Sequence, residues 1–226
     1  MQAVILAAGR GTRMGHLTKE IPKPLLRAGG KTLLEHKLDM LPIEINEIVI
    51  VVGYLDTKIK DHLGYSYKNK TIVYVKQRTL DGTAGAIRAA HDVLQEKFVV
   101  MMGDDIYDEK DIVACMQKPW AINVKEIQKI ECGGEIITQK GRLINIHEKR
   151  HYIKHGYINT GLYMLKKKFF NCEPVLVPGT KEFGIPHTLV SIAQTEPVEV
   201  VISKHLWIQI SDQTDLQNFE KTLLRK

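Results

Sequence analysis

The apolar positions of the chain fall into short unbroken runs separated by stretches of helical spacing. Gln2–Ala7 is one such run, and others recur at Glu47–Val52, Thr71–Val75 and Phe98–Met102. Runs of this length with no polar interruption are what strands of a parallel sheet need when both faces are covered. Between them, Leu33–Leu41, Asp56–Leu63 and Thr83–Leu94 carry the apolar spacing of amphipathic helices. Strand and helix in alternation predict an α/β fold built on a parallel sheet. Thr32 followed by Glu35 is a capping-box pair at the head of the first helix, and Gly29-Gly30 marks a turn before it. The connection from Ala8 to Lys31 is therefore read as a long loop without elements of its own, of the kind that closes over a ligand. After Trp120 the strands shorten, at Glu135–Thr138, Leu143–His147 and Tyr157–Leu165, and the chain closes with a helix at Thr214–Leu224. No internal repeat or low-complexity segment interrupts it.

Three clusters of polar residues sit where the strands end. The first run leads into VILAAGRGTRMGHLTKEIPKPLL, where Gly9 and Gly11 permit a turn whose amides converge on an anion. Arg10, Arg13, Lys19 and Lys23 put positive charge around that turn. Lys23 stands between Pro22 and Pro24, which fix the backbone and so aim a long cation in one direction. A glycine loop after a strand also fits an ordinary tight turn, and the pattern is neither GxxxxGK[ST] nor GxGxxG. The second cluster, QRTLDGTA at Gln77 to Ala84, ends the third strand. Gln77 offers an amide with both a donor and an acceptor there, and Gly82 allows close backbone approach to a flat group; a solvated turn with a helix-capping threonine is the alternative. The third is MMGDDIYD, which delivers Asp104 and Asp105 to the same sheet edge. A strand-end carboxylate beside phosphates is a natural Mg²⁺ ligand, although a charged pair also simply solvates a strand end. Alternation along the chain turns Asp105 away from Asp104, into a supporting place.

Composition narrows the class. With 226 residues and 44% hydrophobic content the chain has enough apolar surface for one sizeable core. A single domain over residues 1–226 is expected, with one half at about 1–118 and the other at about 119–226. The net charge of +6 is spread through the chain rather than gathered in a tail, so acidic small molecules explain it more simply than nucleic acid. The three cysteines, Cys115, Cys132 and Cys172, are far apart, and the nine histidines show no metal-binding spacing. Without an apolar run long enough for a membrane span or a leader at the N-terminus, a cytoplasmic protein that binds no membrane is expected. Homo-oligomerisation is left open.

AAGRGTRM followed by Thr18 and the PKPL of Pro22–Leu25 closely resembles the signature of the nucleoside triphosphate sugar-1-phosphate nucleotidylyltransferases. The resemblance implies a Rossmann-like three-layer sandwich with a mostly parallel central sheet, the nucleotide-diphospho-sugar transferase fold. It implies a nucleotide site of Leu6, Ala8, Gly9, Gly11, Thr12, Arg13, Gln77, Asp81, Gly82 and Thr83. Arg13, Lys23 and Asp104 are then catalytic, with Arg13 at the leaving phosphates, Lys23 between the α-phosphate and the incoming sugar phosphate, and Asp104 holding Mg²⁺. The first half becomes the nucleotide half and the second the sugar half. Further along, Cys132-Gly133-Gly134, Ile146-His147-Glu148-Lys149 and Ile158-Asn159-Thr160-Gly161 resemble the family's sugar-site elements. By that likeness Gly133, Glu148, Lys149, Asn159 and Gly161 bind the sugar phosphate. The hexapeptide repeats of larger members are absent, so no acetyltransferase half is expected.

One departure bears on the metal. Where the family carries its second metal aspartate, two residues after a Trp, this chain has Gln209 after Trp207. A neutral amide oxygen holds Mg²⁺ weakly, which predicts lower metal affinity or a preference for Mn²⁺. Asp212 is better placed as the N-cap of the last helix. The implied reaction moves a nucleoside monophosphate from a nucleoside triphosphate to a sugar 1-phosphate, with UTP or dTTP expected first and GTP or CTP next. The alternatives are a cytidylyltransferase acting on methylerythritol phosphate or phosphocholine, and a non-catalytic regulatory paralogue that binds a nucleotide sugar. A glycosyltransferase would normally show a D-x-D motif, which Asp104-Asp105-Ile106 does not supply.

Overall fold

A computed structural model of the protein describes residues 1–128, 134–148 and 155–224, with only the backbone of Glu148. The first strand, β1 (Gln2–Ala7), is followed by the short strands β2 (Arg27–Ala28) and β3 (Lys31–Thr32) and by α1 (Leu33–Asp39). Next come β4 (Glu47–Val52), α2 (Asp56–Leu63), β5 (Ser66–Tyr67), β6 (Lys70–Lys76) and α3 (Thr83–Ala89). The chain continues through β7 (Lys97–Met102), β8 (Asp105–Tyr107), α4 (Glu109–Met116), β9 (Ala121–Ile127), β10 (Gly134–Gln139) and β11 (Arg142–Glu148). It ends with β12 (Gly156–Lys166), α5 (Ile185–Ala193), β13 (Glu199–Ile202), β14 (Trp207–Gln209) and α6 (Gln213–Leu223).

A ten-stranded sheet runs in the order β10, β11, β13, β9, β12, β7, β1, β4, β6, β5. Its centre is parallel, as expected: β7, β1, β4 and β6 all point one way. Beyond β7 the order turns mixed, because β12 runs antiparallel to both β7 and β9, while β9 and β13 pair in parallel. Alternation along β1 sends Val4 and Leu6 to one face, against Ala84, Ile87, Ile185 and Leu189. Ala3, Ile5 and Ala7 face the other layer, against Leu34, Leu38, Ile59 and Ile112. Burial on both faces is the reason these strands read as unbroken apolar runs. Among the described residues no helix is long and apolar enough to cross a membrane.

The expected strands and the last helix are found to within one residue at either end, and the Thr32–Glu35 capping box forms with both of its hydrogen bonds. Two expectations are corrected, and two further elements appear. The Ala8–Lys31 connection is not structureless: it holds 3-10 turns at Thr12–Thr18 and Lys23–Leu25 and the β2–β3 hairpin. Met14 is the anchor, fully buried among Leu26, Leu33, Ile106, Ile210 and Phe219, so the loop has a small core of its own. The helix expected over 83–94 stops at Ala89 and resumes as a 3-10 turn at His91–Val93, where His91 packs edge-on against Phe170. β9 and α5 were hidden by single residues. Asn123 in β9 is buried with its amide bonded to Val201 O and Thr160 Oγ1, and Pro186 of α5 sits in the first turn, where proline is tolerated.

Asp39, the last residue of α1, ties the hairpin to the sheet edge. It takes Lys31 Nζ at 2.5 Å, Lys68 Nζ at 2.7 Å and the Tyr67 hydroxyl at 2.9 Å. Partial burial pulls its carboxyl up, but the donors from Lys31, Lys68 and Tyr67 outweigh that and hold it at about 2. A carboxylate depressed in the folded state stabilises above its unfolded pKa and loses that contribution as pH falls through the folded one. Asp39→Asn is therefore expected to cost about 1–2 kcal/mol near neutral pH, with the difference closing between about pH 4 and about pH 2. Urea unfolding of both proteins across that range checks it.

Candidate active site

Parallel strands β1 and β7 lie side by side, so the chain leaves both at the same sheet edge, and a cavity of about 360 Å³ opens there. Crevices beyond the carboxyl ends of parallel strands are where open α/β sheets take ligands. Leu6, Ala8, Gly9, Gly11, Thr12 and Arg13 line one wall, Gln77, Gly82 and Thr83 another, and Lys23 and Asp104 the floor between. These are residues the sequence pointed to, and the fold brings them together. Asp81 stands outside the lining, as do Arg10 and Lys19. Ala7, Pro24, Leu80, Ala86, Met102, Gly103, Glu182 and Ser211 complete it.

Lys23 is the centre of the arrangement. Its ammonium donates to Asp104 Oδ2 at 2.6 Å, with the lysine side chain 7% and the aspartate side chain 29% exposed. The 3-10 turn that carries it starts after Pro22, in extended backbone, and has Pro24 in its first turn, so the flanking prolines set the direction of the side chain. The loop before it is held at several points. Thr18 Oγ1 donates to Gly11 O, the Tyr54 hydroxyl to Lys19 O, and Gln213 Nε2 to Met14 O. Gly103 supplies the close approach at the floor: its N–H donates to Leu6 O at 2.9 Å, and a Cβ there would sit 2.4 Å from that same oxygen.

Behind the floor lies a buried polar layer. Asp105 is 3% exposed, as expected of a supporting residue, and faces Lys37, which is 1% exposed and donates to the Asp105 carbonyl. The Lys37 ammonium also lies 4.9 Å from the centroid of the Tyr107 ring. Burial pushes the Asp105 carboxyl up, Asp104 adds to this, and Lys37 opposes it; burial likewise pushes Lys37 down. Gln209, which is exposed, pairs with Asp105 across β8 and β14, while Ile210 N–H donates to Asp104 O. Asp212 caps α6, accepting from Thr214 N and Asp215 N.

The donor set fits Mg²⁺ only as a shared site. Asp104 has one oxygen on Lys23 and no hydrogen bond to Oδ1 among the described residues, and Gln209 is a neutral neighbour. Among the described residues no three His, Cys, Asp or Glu side chains gather to hold an ion by themselves. One or two protein oxygens with phosphate oxygens and water is the ordinary way Mg²⁺ is bound.

At the opposite wall, Gln77 differs from its expected role: its amide nitrogen is already used, donating to Asp81 Oδ1 at 3.0 Å and Gly82 O at 3.2 Å. Gly82, at φ +102, is needed by the protein itself, since a Cβ would meet Phe183 O at 2.4 Å. The 175–184 segment crosses here, with Phe183 N–H on Asp81 O and Ala84 N–H on Phe183 O. It brings Glu182 to the cavity from a distant part of the chain, which no local spacing signals. On the sugar side, Asn159 and Gly161 do not line this cavity. Asn159 bonds to the Tyr163 hydroxyl and to Gly161 N–H, at an irregularity in the β12–β9 pairing. Gly133 and Lys149 lie outside the described residues, as does the side chain of Glu148.

The architecture is that of the nucleotide-diphospho-sugar transferase fold. The chain belongs to the nucleotidyl transferase family, whose model matches residues 2–182. The UTP–glucose-1-phosphate uridylyltransferase AglF of Haloferax volcanii is 31% identical over 190 residues, covering 80% of this chain and 78% of that protein. The bifunctional protein GlmU of Methanocaldococcus jannaschii is 28% identical over 228 residues, all of this chain but 55% of that protein. The chain thus spans about half the length of the GlmU relatives it matches. A UDP-glucose pyrophosphorylase solved with UDP-glucose superposes with a TM-score of 0.82 at 20% identity, over 99% of this chain and 98% of that one, a likeness of fold.

The floor of the cavity has no room for a methyl group at position 103. Gly103→Ala is expected to destabilise the protein by about 2–3 kcal/mol, because β1 or β7 must shift to relieve the contact. Chemical denaturation of the variant and the parent measures it, and an unchanged midpoint would remove the close approach from the account.

Proposed function

We propose that the protein transfers a nucleoside monophosphate from a nucleoside triphosphate to a sugar 1-phosphate, releasing pyrophosphate. The observation that carries this reading is the Lys23–Asp104 pair on the floor of a glycine-lined cavity with Arg13 on its wall. A buried cation and a half-open carboxylate side by side suit two phosphates and a divalent ion meeting at one point. An oxygen of the sugar 1-phosphate attacks the α-phosphorus in line, a new P–O bond forms, and the bond to the β-phosphate oxygen breaks. No protein nucleophile is required, so catalysis is positioning and neutralisation of charge.

Lys23 does the central part. Its ammonium is fixed by Asp104 before substrate arrives and meets the α-phosphate as negative charge grows on the non-bridging oxygens. Arg13 is exposed on the cavity wall and free to follow the departing pyrophosphate. Asp104, with Gln209 as a weak neighbour and phosphate oxygens beside them, would hold Mg²⁺ or Mn²⁺, which supplies Lewis-acid neutralisation when bound. Glu148, Lys149, Gly133, Asn159 and Gly161 are assigned to the sugar phosphate by family resemblance alone.

Two outcomes test the reading. Lys23→Ala is expected to lower pyrophosphate release in the presence of both substrates by about a hundredfold to a thousandfold. Circular dichroism confirms the fold, and a variant that keeps its turnover would overturn the assignment. Gln209→Asp is expected to lower the Mg²⁺ concentration needed for half-maximal release by several-fold, since a carboxylate replaces an amide. Titration with Mg²⁺ and Mn²⁺ reads this directly; identical curves for the two proteins would mean that position 209 takes no part in holding the ion.

A further inference from the structure

Behind the cavity floor lies a cation with no part in the proposed transfer. Leu33, Leu34, Lys37 and Leu38 form the buried face of α1, so Lys37 occupies a position where an apolar side chain would pack at no electrostatic cost. It is 1% exposed. Enclosing an ammonium is costly unless partners replace its hydration. A break in the apolar pattern inside a core points to a task beyond packing.

The partners of Lys37 lie on the turn that carries Asp104. Its ammonium donates to the Asp105 carbonyl and lies 4.9 Å from the centroid of the Tyr107 ring, whose face attracts a cation. Tyr107 is tied in turn to the strands beside it: its hydroxyl accepts from Met102 N–H at 3.3 Å and donates to Thr160 O at 2.9 Å. Met102 ends β7, and Thr160 lies where the pairing of β12 with β9 is irregular. Gly103, next to Asp104, is pinned to Leu6 O. β14 pairs with residues 105–107, and α1 reaches them through Lys37.

We propose that Lys37 is a positioning residue for the Lys23–Asp104 pair: bonded to the Asp105 carbonyl and lying on the Tyr107 ring, it fixes the turn from which Asp104 reaches Lys23. The inference rests on the nucleotidyltransferase reading and adds to it a residue that meets no substrate. Lys37 lines no part of the cavity, so its loss leaves the walls that would bind a triphosphate intact. What it changes is the place of one carboxylate, and with it the place of the Lys23 ammonium bonded there at 2.6 Å. A displacement of about 1 Å at a reacting centre is enough to lower turnover by about 100-fold. Neutralisation of the buried Asp105 carboxyl is the competing role for Lys37, and the two make different predictions.

Lys37→Met keeps most of the length and the apolar stem of the side chain and removes the ammonium. Steady-state pyrophosphate release is expected to show kcat lowered by about tenfold to a hundredfold, with the KM for the triphosphate within about threefold of the parent. Amine-directed acetylation followed by mass spectrometry reads the ion pair without any substrate. Lys23 should be labelled several-fold faster in the variant, while Lys166, which lies over the Trp120 ring, keeps its rate. Unchanged kcat, or unchanged Lys23 labelling, in a folded variant would overturn the proposal. Repeating both measurements in an Asp105→Asn background separates the two roles. A positioning lysine lowers kcat there by the same factor as in the parent, whereas an effect that vanishes in that background would replace positioning with charge neutralisation. Because Lys37→Met then leaves no buried carboxylate unpaired behind the floor, that background also serves if the single variant does not fold. A parent protein that releases no pyrophosphate with any substrate pair would overturn the transferase reading, and Lys23 labelling would still decide whether Lys37 holds the pair.

Discussion

The ion pair between Lys23 and Asp104 joins residues 81 positions apart, and the site is organised around it. It exists because β1 and β7 are parallel neighbours in register, Leu6 beside Met102, so that the chain emerges from both at one edge. Taking a lysine out of water costs several kcal/mol unless a partner replaces the lost hydration, and losing one member of such a pair is worse than losing both. Lys23 is nearly enclosed whereas Asp104 keeps more than a quarter of its surface open. The carboxylate thus remains reachable by a third party while the lysine stays committed to the cavity. A phosphate arriving there would find its counter-charge already desolvated and aimed, which is the condition under which fixed charges lower a barrier most.

Holding that pair in place takes more of the chain than the loop that bears it. Met14 and Ile210 share a small core with Phe219, and Gln213 bonds to the Met14 carbonyl, so α6 supports the loop from beneath. On the other side, Lys37 reaches from α1 to the Asp105 carbonyl, and the Tyr107 hydroxyl donates to Thr160 O at 2.9 Å. Segments from both ends of the sequence therefore converge under the same few atoms, and displacement of any of them moves the charge at the floor.

What the sequence disclosed and what it withheld follow from where each signal is written. Strands buried on both faces are apolar throughout, so β1, β4 and β7 stood out, and with them the ends that deliver Gly9, Gly11 and Asp104. The PKPL turn and the Thr32–Glu35 cap are local chemistry and were equally legible. β9 was not, because Asn123 looks like a surface residue until its partners on β12 and β13 are known. Glu182 was invisible for a related reason: it reaches the cavity through backbone contacts of Phe183 with Asp81 and Ala84, about a hundred residues away in the chain. The state of Gln77 was hidden too. The family resemblance assigned it to the nucleotide, but whether it presents its donor or its acceptor depends on Asp81, four residues on, and on the rotamers that bring the two together.

The amide at position 209 becomes intelligible once the charges around it are placed. Asp104 and Asp105 lie at one strand end, with Lys23 paired to the Asp104 carboxylate and Lys37 donating to the Asp105 carbonyl. Burial and the neighbouring Asp104 already work against the Asp105 carboxylate. The register of β8 and β14 sets residue 209 directly across from Asp105. A third carboxylate there would add repulsion beside Asp104 and Asp105, which the neutral amide of glutamine does not. A divalent ion held beside Asp104 would take the rest of its negative charge from a triphosphate, and by thermodynamic reciprocity each would then strengthen the other's binding to the same degree.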